Sequence, residues 1–145
     1  MTRQHPDILL VEDSPTDIQF TREGIAMLDR PARLTVITSG SKALSYLRHQ
    51  GEYAAATRPD LVLLDLNLPG CRGSDVLGSI KTDPSLLDIP VIVMSSSQDR
   101  GDIRDSYRRH ANCYVVKPLE FDDYVGTVKQ VAQFWLGTAQ LPEPA

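Results

Sequence analysis

The chain has 145 residues, 41% of them hydrophobic and 23% charged, and a formal net charge of −4. That is one domain of soluble, globular composition, and its acidity and lack of a dense Lys/Arg cluster argue against nucleic-acid binding by this domain. No apolar run reaches the length of a membrane span and no room for a signal peptide precedes the first strand, so a cytoplasmic protein is expected.

In chain order, Ile8-Leu9-Leu10-Val11 is the first apolar run and ends on Glu12-Asp13. Ser14-Pro15-Thr16-Asp17 follows, with serine at an N-cap, proline at the first helical position and an acid placed as in a capping box. Ile18, Ile25, Ala26 and Leu28 extend that helix as an apolar stripe. Leu34-Thr35-Val36-Ile37 reads as a second strand, and 41–50 as a second helix with Ala43, Leu44 and Leu47 inward. Leu61-Val62-Leu63-Leu64 is bracketed by Pro59 and Pro69-Gly70 too tightly for a helix, and reads as a strand buried on both faces. Asp65 stands at its end.

A third helix is predicted over 74–82, then a strand at Val91-Ile92-Val93-Met94 ending on Ser95-Ser96. The fourth helix, 100–110, has only Ile103 and Tyr107 as large apolar residues, so it is expected to be weakly held. Its arginines, Arg100, Arg104, Arg108 and Arg109, read as an exposed face. Tyr114-Val115-Val116 is the fifth strand, followed by Lys117-Pro118 and a helix over 121–136. Residues 1–136 are thus one domain, and 137–145 a tail with two prolines. Cys71 and Cys113 lack CxxC spacing and read as reduced thiols, Cys113 as a small core residue. His5, His49 and His110 are scattered and expected to be solvated.

Alternating strands and helices imply an α/β fold, a doubly wound five-stranded parallel sheet of order 2-1-3-4-5, whose ligand site lies where the first and third strands part. That topology gathers Glu12, Asp13, Asp65, Ser95 and Lys117 at one sheet edge. Three carboxylates there repel unless a cation compensates. Oxygen donors without Cys or His suit Mg2+. Asp65 then serves as a nucleophile toward a phosphoryl donor, Lys117 neutralises charge, and Ser95 hydrogen-bonds a phosphoryl oxygen. Taken singly, each residue has a plainer role as a helix cap or salt-bridge partner. All four strand ends together do not.

Leu10-Val11-Glu12-Asp13, Leu64-Asp65-Leu66-Asn67-Leu68-Pro69, Pro90-Val91-Ile92-Val93-Met94-Ser95 and Tyr114-Val115-Val116-Lys117-Pro118 resemble the receiver domain of two-component response regulators, with its flavodoxin-like fold. Tyr46-Leu47-Arg48, the stretch 106–114, and Phe134-Trp135-Leu136 with Leu141-Pro142 are similar to single-domain regulators partnered with bacterial phytochromes. The resemblance implies that Asp65 is the phosphoacceptor for a sensor histidine kinase. It implies Mg2+ bound by Asp13, Asp65 and the Asn67 carbonyl, with Glu12 acting through water. Ser95 takes the switch hydroxyl position and Tyr114 that of the switch aromatic. Such a protein is no enzyme beyond its own phosphorylation and dephosphorylation. Arg72-Gly73 stands where receivers often carry Asp-Gly.

Two other functions compete. Leu61 to Asn67 also resembles the nucleophile strand of haloacid-dehalogenase-type phosphatases, which need a second aspartate where this chain has Asn67. A receiver-like binding module that is never phosphorylated is the other. For the fifth helix, helical spacing puts Phe121, Tyr124, Val125, Val128, Ala132 and Trp135 toward the sheet and leaves Phe134 outside. Phe134, Trp135, Leu136 and Leu141 are therefore the expected interface of a homodimer, as the phytochrome-linked resemblance also implies.

Overall fold

Four apolar residues in succession leave no face for water, so such a strand is stable only in a sheet covered on both sides. The computed structural model, which describes residues 5–143, forms that sheet. Strands β1 (Asp7–Val11), β2 (Arg33–Ile37), β3 (Leu61–Leu64), β4 (Val91–Ser95) and β5 (Cys113–Val116) lie parallel in the order β2-β1-β3-β4-β5. The register pairs Val11 with Ile37 and Leu64, Leu64 with Val93, and Ser95 with Val116. The strand ends that carry the polar residues therefore finish side by side.

Helices α1 (Pro15–Ala26), α2 (Gly40–Leu47), α3 (Gly73–Thr82), α4 (Arg100–Arg108) and α5 (Phe121–Gln133) cover the sheet. Because side chains alternate along a strand, each strand feeds both faces. Leu9, Val11, Val62, Leu64 and Val93 meet Ala43 and Leu47 of α2 and Val76, Leu77 and Ile80 of α3. Ile8, Leu10, Leu61, Leu63 and Met94 meet Ile25 of α1 and Tyr124, Val128 and Ala132 of α5. Ser106 is the only buried residue of α4, which confirms its thin anchoring. No helix among the described residues is long and apolar enough to cross a membrane.

The structure corrects several sequence expectations. The last helix is not α-helical to 136; it changes at Phe134–Thr138 into one π-helical turn, closed by the Ala139 N–H donating to the Phe134 carbonyl at 2.8 Å. Phe121 does not face the sheet: it is exposed, and its ring meets Phe20 edge-on at 4.9 Å. Ala26 is exposed too, because α1 ends there and its last turn is pinned by Ile25 and Gly24. His5 is half-buried with Nδ1 shielded and unpartnered, whereas His49 and His110 are exposed. Those two sit at positive φ, 57° and 71°, where the chain leaves α2 and α4. Cys113 is half-buried against the α1/α5 side of the core.

Helices α1 and α5 approach so closely because position 24 lacks a side chain. A Cβ on Gly24 would lie 2.6 Å from Val128 Cβ and 2.9 Å from the Val125 carbonyl. Gly126, on the exposed side of α5, has nothing near it. Gly24→Ala is therefore expected to destabilise the domain by about 1–3 kcal/mol through overpacking. Gly126→Ala should stabilise it by about 0.5–1 kcal/mol through helix propensity. Denaturant unfolding of both variants checks the pair, and equal shifts would refute the packing account.

Candidate functional site

Glu12, Asp65 and Lys117 are each placed by a backbone hydrogen bond one step beyond their strands. The Glu12 N–H donates to the Ile37 carbonyl at 3.1 Å, Asp65 N–H to Val11 at 3.0 Å, and Lys117 N–H to Ser95 at 2.8 Å. The sheet ladder thus continues into the site, and the side chains inherit its rigidity. Glu12, Asp13 and Asp65 each offer a carboxylate oxygen, all within 4.8 Å of one another. Glu12 and Asp65 are buried, and Asp13 is exposed.

The Lys117 ammonium occupies the middle of this charge. It donates to Glu12 Oε1 at 2.9 Å and to Asp17 Oδ2 at 2.8 Å, and lies 3.4 Å from Asp65 Oδ1. Burial alone would lower its pKa; the bonds to Asp17 and Glu12 and the charge of Asp65 prevail and hold it above the ordinary lysine value. Burial likewise works to raise Asp17, but the Lys117 hydrogen bond, the interaction with the Glu12 carboxyl and the Lys117 charge together outweigh this and keep it below the usual carboxylate value. Glu12 goes the other way. Burial first, then the neighbouring Asp65 carboxylate, push it up to about 9.

Glu12 Oε2 is buried with no hydrogen-bond partner. A buried carboxylate oxygen without a donor is costly, and with two further acids beside it the set fits a divalent cation with oxygen preference.

Asp17 is the residue that sequence reasoning missed. Its N–H is capped by Ser14 Oγ at 3.3 Å as expected, but its carboxylate turns to Lys117, so only half of the capping box forms. The signal was an acid one helical turn beyond Glu12-Asp13, and it was absorbed by the cap pattern. Ser97 was missed as well. Ser95 is fully buried, and its Oγ accepts from the Ser97 N–H at 3.1 Å. The Ser97 carbonyl accepts from the half-buried Tyr114 hydroxyl at 2.9 Å. Ser97 Oγ donates to Asp102 Oδ2 of α4 at 2.6 Å. Ser95, Tyr114 and the first turn of α4 are therefore joined through one residue.

Asn67 stands at the mouth, exposed, with its N–H donating to Asp65 Oδ1 at 3.3 Å. Leu66, Asn67, Arg72, Ser95, Ser97 and Arg109 are among the residues lining an open groove of about 470 Å³ beside it. Gly73 backs the same loop. A Cβ there would fall 2.6 Å from Leu66 Cα and run into the Asp65 carbonyl, which explains the glycine after Arg72.

The four residues expected at a dimer contact lie far from this site. Phe134 is half-exposed, while Trp135 and Leu136 pack on the α1/α5 side of the core. Leu141 and Pro142 border a small cavity against Arg58, Pro59, Asp88 and Pro90 of their own chain.

Residues 8–129 match the response regulator receiver domain. The chain belongs to that family. The chain is 41% identical to the response regulator Rcp1 of Synechocystis sp. over 135 residues, covering 93% of this chain and 92% of the relative. Its structure is similar to that of the phosphorylated cyanobacterial phytochrome response regulator RcpA, at TM-score 0.93 and 46% identity, over 96% of this chain and 99% of that one. It is also similar to a Mn2+-bound form of Rcp1, at TM-score 0.91 and 40% identity, over 95% and 99%.

The raised Glu12 makes a prediction for the cation-free receiver. From about pH 5 to 9 the folded protein keeps a proton on Glu12 that the unfolded chain, with its value near 4.5, has lost. Stability is therefore expected to fall as pH rises through that window. Melting temperatures in chelator should decline accordingly, and Glu12→Gln, neutral throughout, should flatten the decline. An equal slope in the variant would place the proton elsewhere.

Proposed function

We propose that this receiver is a single-domain response regulator that takes a phosphoryl group from the phosphohistidine of a sensor kinase onto Asp65. The observation that carries this is the placement of Asp65: a buried carboxylate on a rigid strand end, 3.4 Å from the Lys117 ammonium and inside the Glu12/Asp13 cluster. In the transfer, an Asp65 carboxylate oxygen bonds to phosphorus, the donor P–N bond breaks, and its electron pair stays on the imidazole nitrogen. Asp13 and Asp65, the Asn67 carbonyl, and Glu12 through water would hold Mg2+. When bound, the cation neutralises charge on the transferring group. Lys117 adds a second positive charge, and the Ser95 hydroxyl donates to a phosphoryl oxygen.

Similarity to RcpA and Rcp1 supports a kinase of the bacterial phytochrome class. Residues 1–136 make the receiver domain and 137–145 the tail, in a cytoplasmic protein that signals by protein contacts and not through nucleic acid. The switch runs through Ser97. When Ser95 Oγ turns to a phosphoryl oxygen, Ser97 N–H loses its acceptor, and the loop, Tyr114 and weakly anchored α4 rearrange together.

Incubation with acetyl phosphate and Mg2+ should add one phosphoryl group by intact-mass spectrometry, and hydrogen exchange should change from Ser95 to Tyr114. Asp65→Asn should abolish uptake, and Lys117→Ala should slow it on the order of a hundredfold. Uptake by Asp65→Asn would refute the assignment.

The protein is also proposed to form a homodimer through Phe134, Trp135, Leu136 and Leu141. The exposed Phe134 ring supports a two-fold arrangement in which each tail crosses to the partner's α5; the competing arrangement is a monomer whose tail stays on its own domain, where Leu141 and Pro142 lie in this structure. Truncation after Leu136 or Phe134→Asp should weaken association in analytical ultracentrifugation. A single 16.1 kDa species in the full chain at high concentration would sink the dimer.

A further inference from the structure

Four carboxylates, not three, surround this site. The fourth, Asp17, belongs to α1 and stands outside the cation cluster of Glu12, Asp13 and Asp65. Its N–H is occupied by the Ser14 cap and its carbonyl by the buried Thr21 hydroxyl at 2.8 Å, so its backbone is fixed. Its side chain accepts from Lys117 at 2.8 Å and also faces the Glu12 carboxyl. The Lys117 contact is the shortest of the three the ammonium makes, and the contact to Asp65 is the longest, at 3.4 Å.

The order of these distances has a consequence. A lysine settled at full hydrogen-bond distance on Asp65 would neutralise the nucleophile and present a positive charge where a divalent cation must bind, and at such distances like charges interact strongly. Asp17 draws the ammonium toward α1, away from Asp65.

We infer that Asp17 is a positioning residue that holds Lys117 on the α1 side of the site, leaving Asp65 open to a divalent cation and to the incoming phosphoryl group. The hold on Lys117 stands on the geometry alone; only its use for phosphoryl transfer rests on the function proposed above. Removing the Asp17 charge lets the ammonium shift onto Glu12 and Asp65, so cation binding weakens. This differs from a simple loss of negative charge near the cation, because the effect passes through Lys117.

A double-mutant cycle separates the two, with Mn2+ affinity measured by calorimetry at fixed pH. Asp17→Asn should weaken Mn2+ binding about fivefold in the wild-type background and less than about twofold in a Lys117→Ala background. Asp17→Glu should rescue most of the affinity. In parallel, the initial rate of phosphorylation by acetyl phosphate should fall at limiting Mg2+ and recover at saturation. Equal weakening in both backgrounds would overturn the inference in favour of long-range charge, and undiminished affinity in Asp17→Asn would overturn it outright. Absence of phosphoryl uptake by the wild-type chain would end the phosphorylation reading instead, and would leave the affinity cycle to decide on Asp17.

Discussion

Carboxylates gathered at one edge of a parallel sheet repel one another, and the Lys117 ammonium is what allows this chain to fold with them there. Glu12, Asp17 and Asp65 share it, while Glu12 relieves the remaining charge by keeping its proton. The sheet cannot move the acids apart, since Glu12 and Asp65 are fixed by backbone hydrogen bonds to neighbouring strands. An electrostatic conflict is therefore built into the most rigid part of the molecule. Such a site is poised for a ligand that is itself a cation, because cation binding releases the repulsion instead of creating it.

The rest of the architecture divides by how firmly each element is tied to that edge. Strands β1, β3 and β4 are buried throughout, whereas β5 is only half-buried along its length. Helices α2 and α3 share one apolar core and α1 and α5 the other, but α4 contributes one buried serine. What positions α4 is polar instead: the Asp99 cap, the Ser97–Asp102 bond, and Tyr107, whose hydroxyl accepts from the Tyr114 N–H at 3.1 Å. Elements held by a few exposed hydrogen bonds open at lower free energy than those held by buried apolar area. The loosely held α4 therefore adjoins the sheet edge through Ser95 and Ser97.

Much of this was legible in the sequence. The five strands announced themselves because uninterrupted apolar runs bounded by proline, glycine and acids have few other uses. Once the strands were placed in the doubly wound order 2-1-3-4-5, the position of Glu12, Asp65, Ser95 and Lys117 at one edge followed. What escaped has physical reasons. The Asp17 side chain could satisfy a local cap or a lysine 100 positions away, and local spacing describes only the first. Ser97 acts mainly through its backbone N–H and carbonyl, which every residue possesses. The π-helical turn at Phe134–Thr138 is a shift in hydrogen-bond partner, to which side-chain periodicity is nearly blind.

The two missed residues also explain why the strand-end motifs alone underdetermine such a site. The motifs specify which groups can react, and those groups sit on rigid strands. How the reactive groups are held before reaction depends on residues one turn into the following element: Asp17 at the start of α1, and Ser97 ahead of α4. Each takes a group from the reactive set and ties it to the following element, Lys117 to α1 and Ser95 to the loop before α4. One helix is packed tightly against α5 through Gly24, and the other is held by a few polar contacts. Charge at Asp65 thus meets a firm restraint on the lysine side and a yielding one on the hydroxyl side. Under the function proposed above, a rearrangement that followed a change in that charge would be directed toward α4.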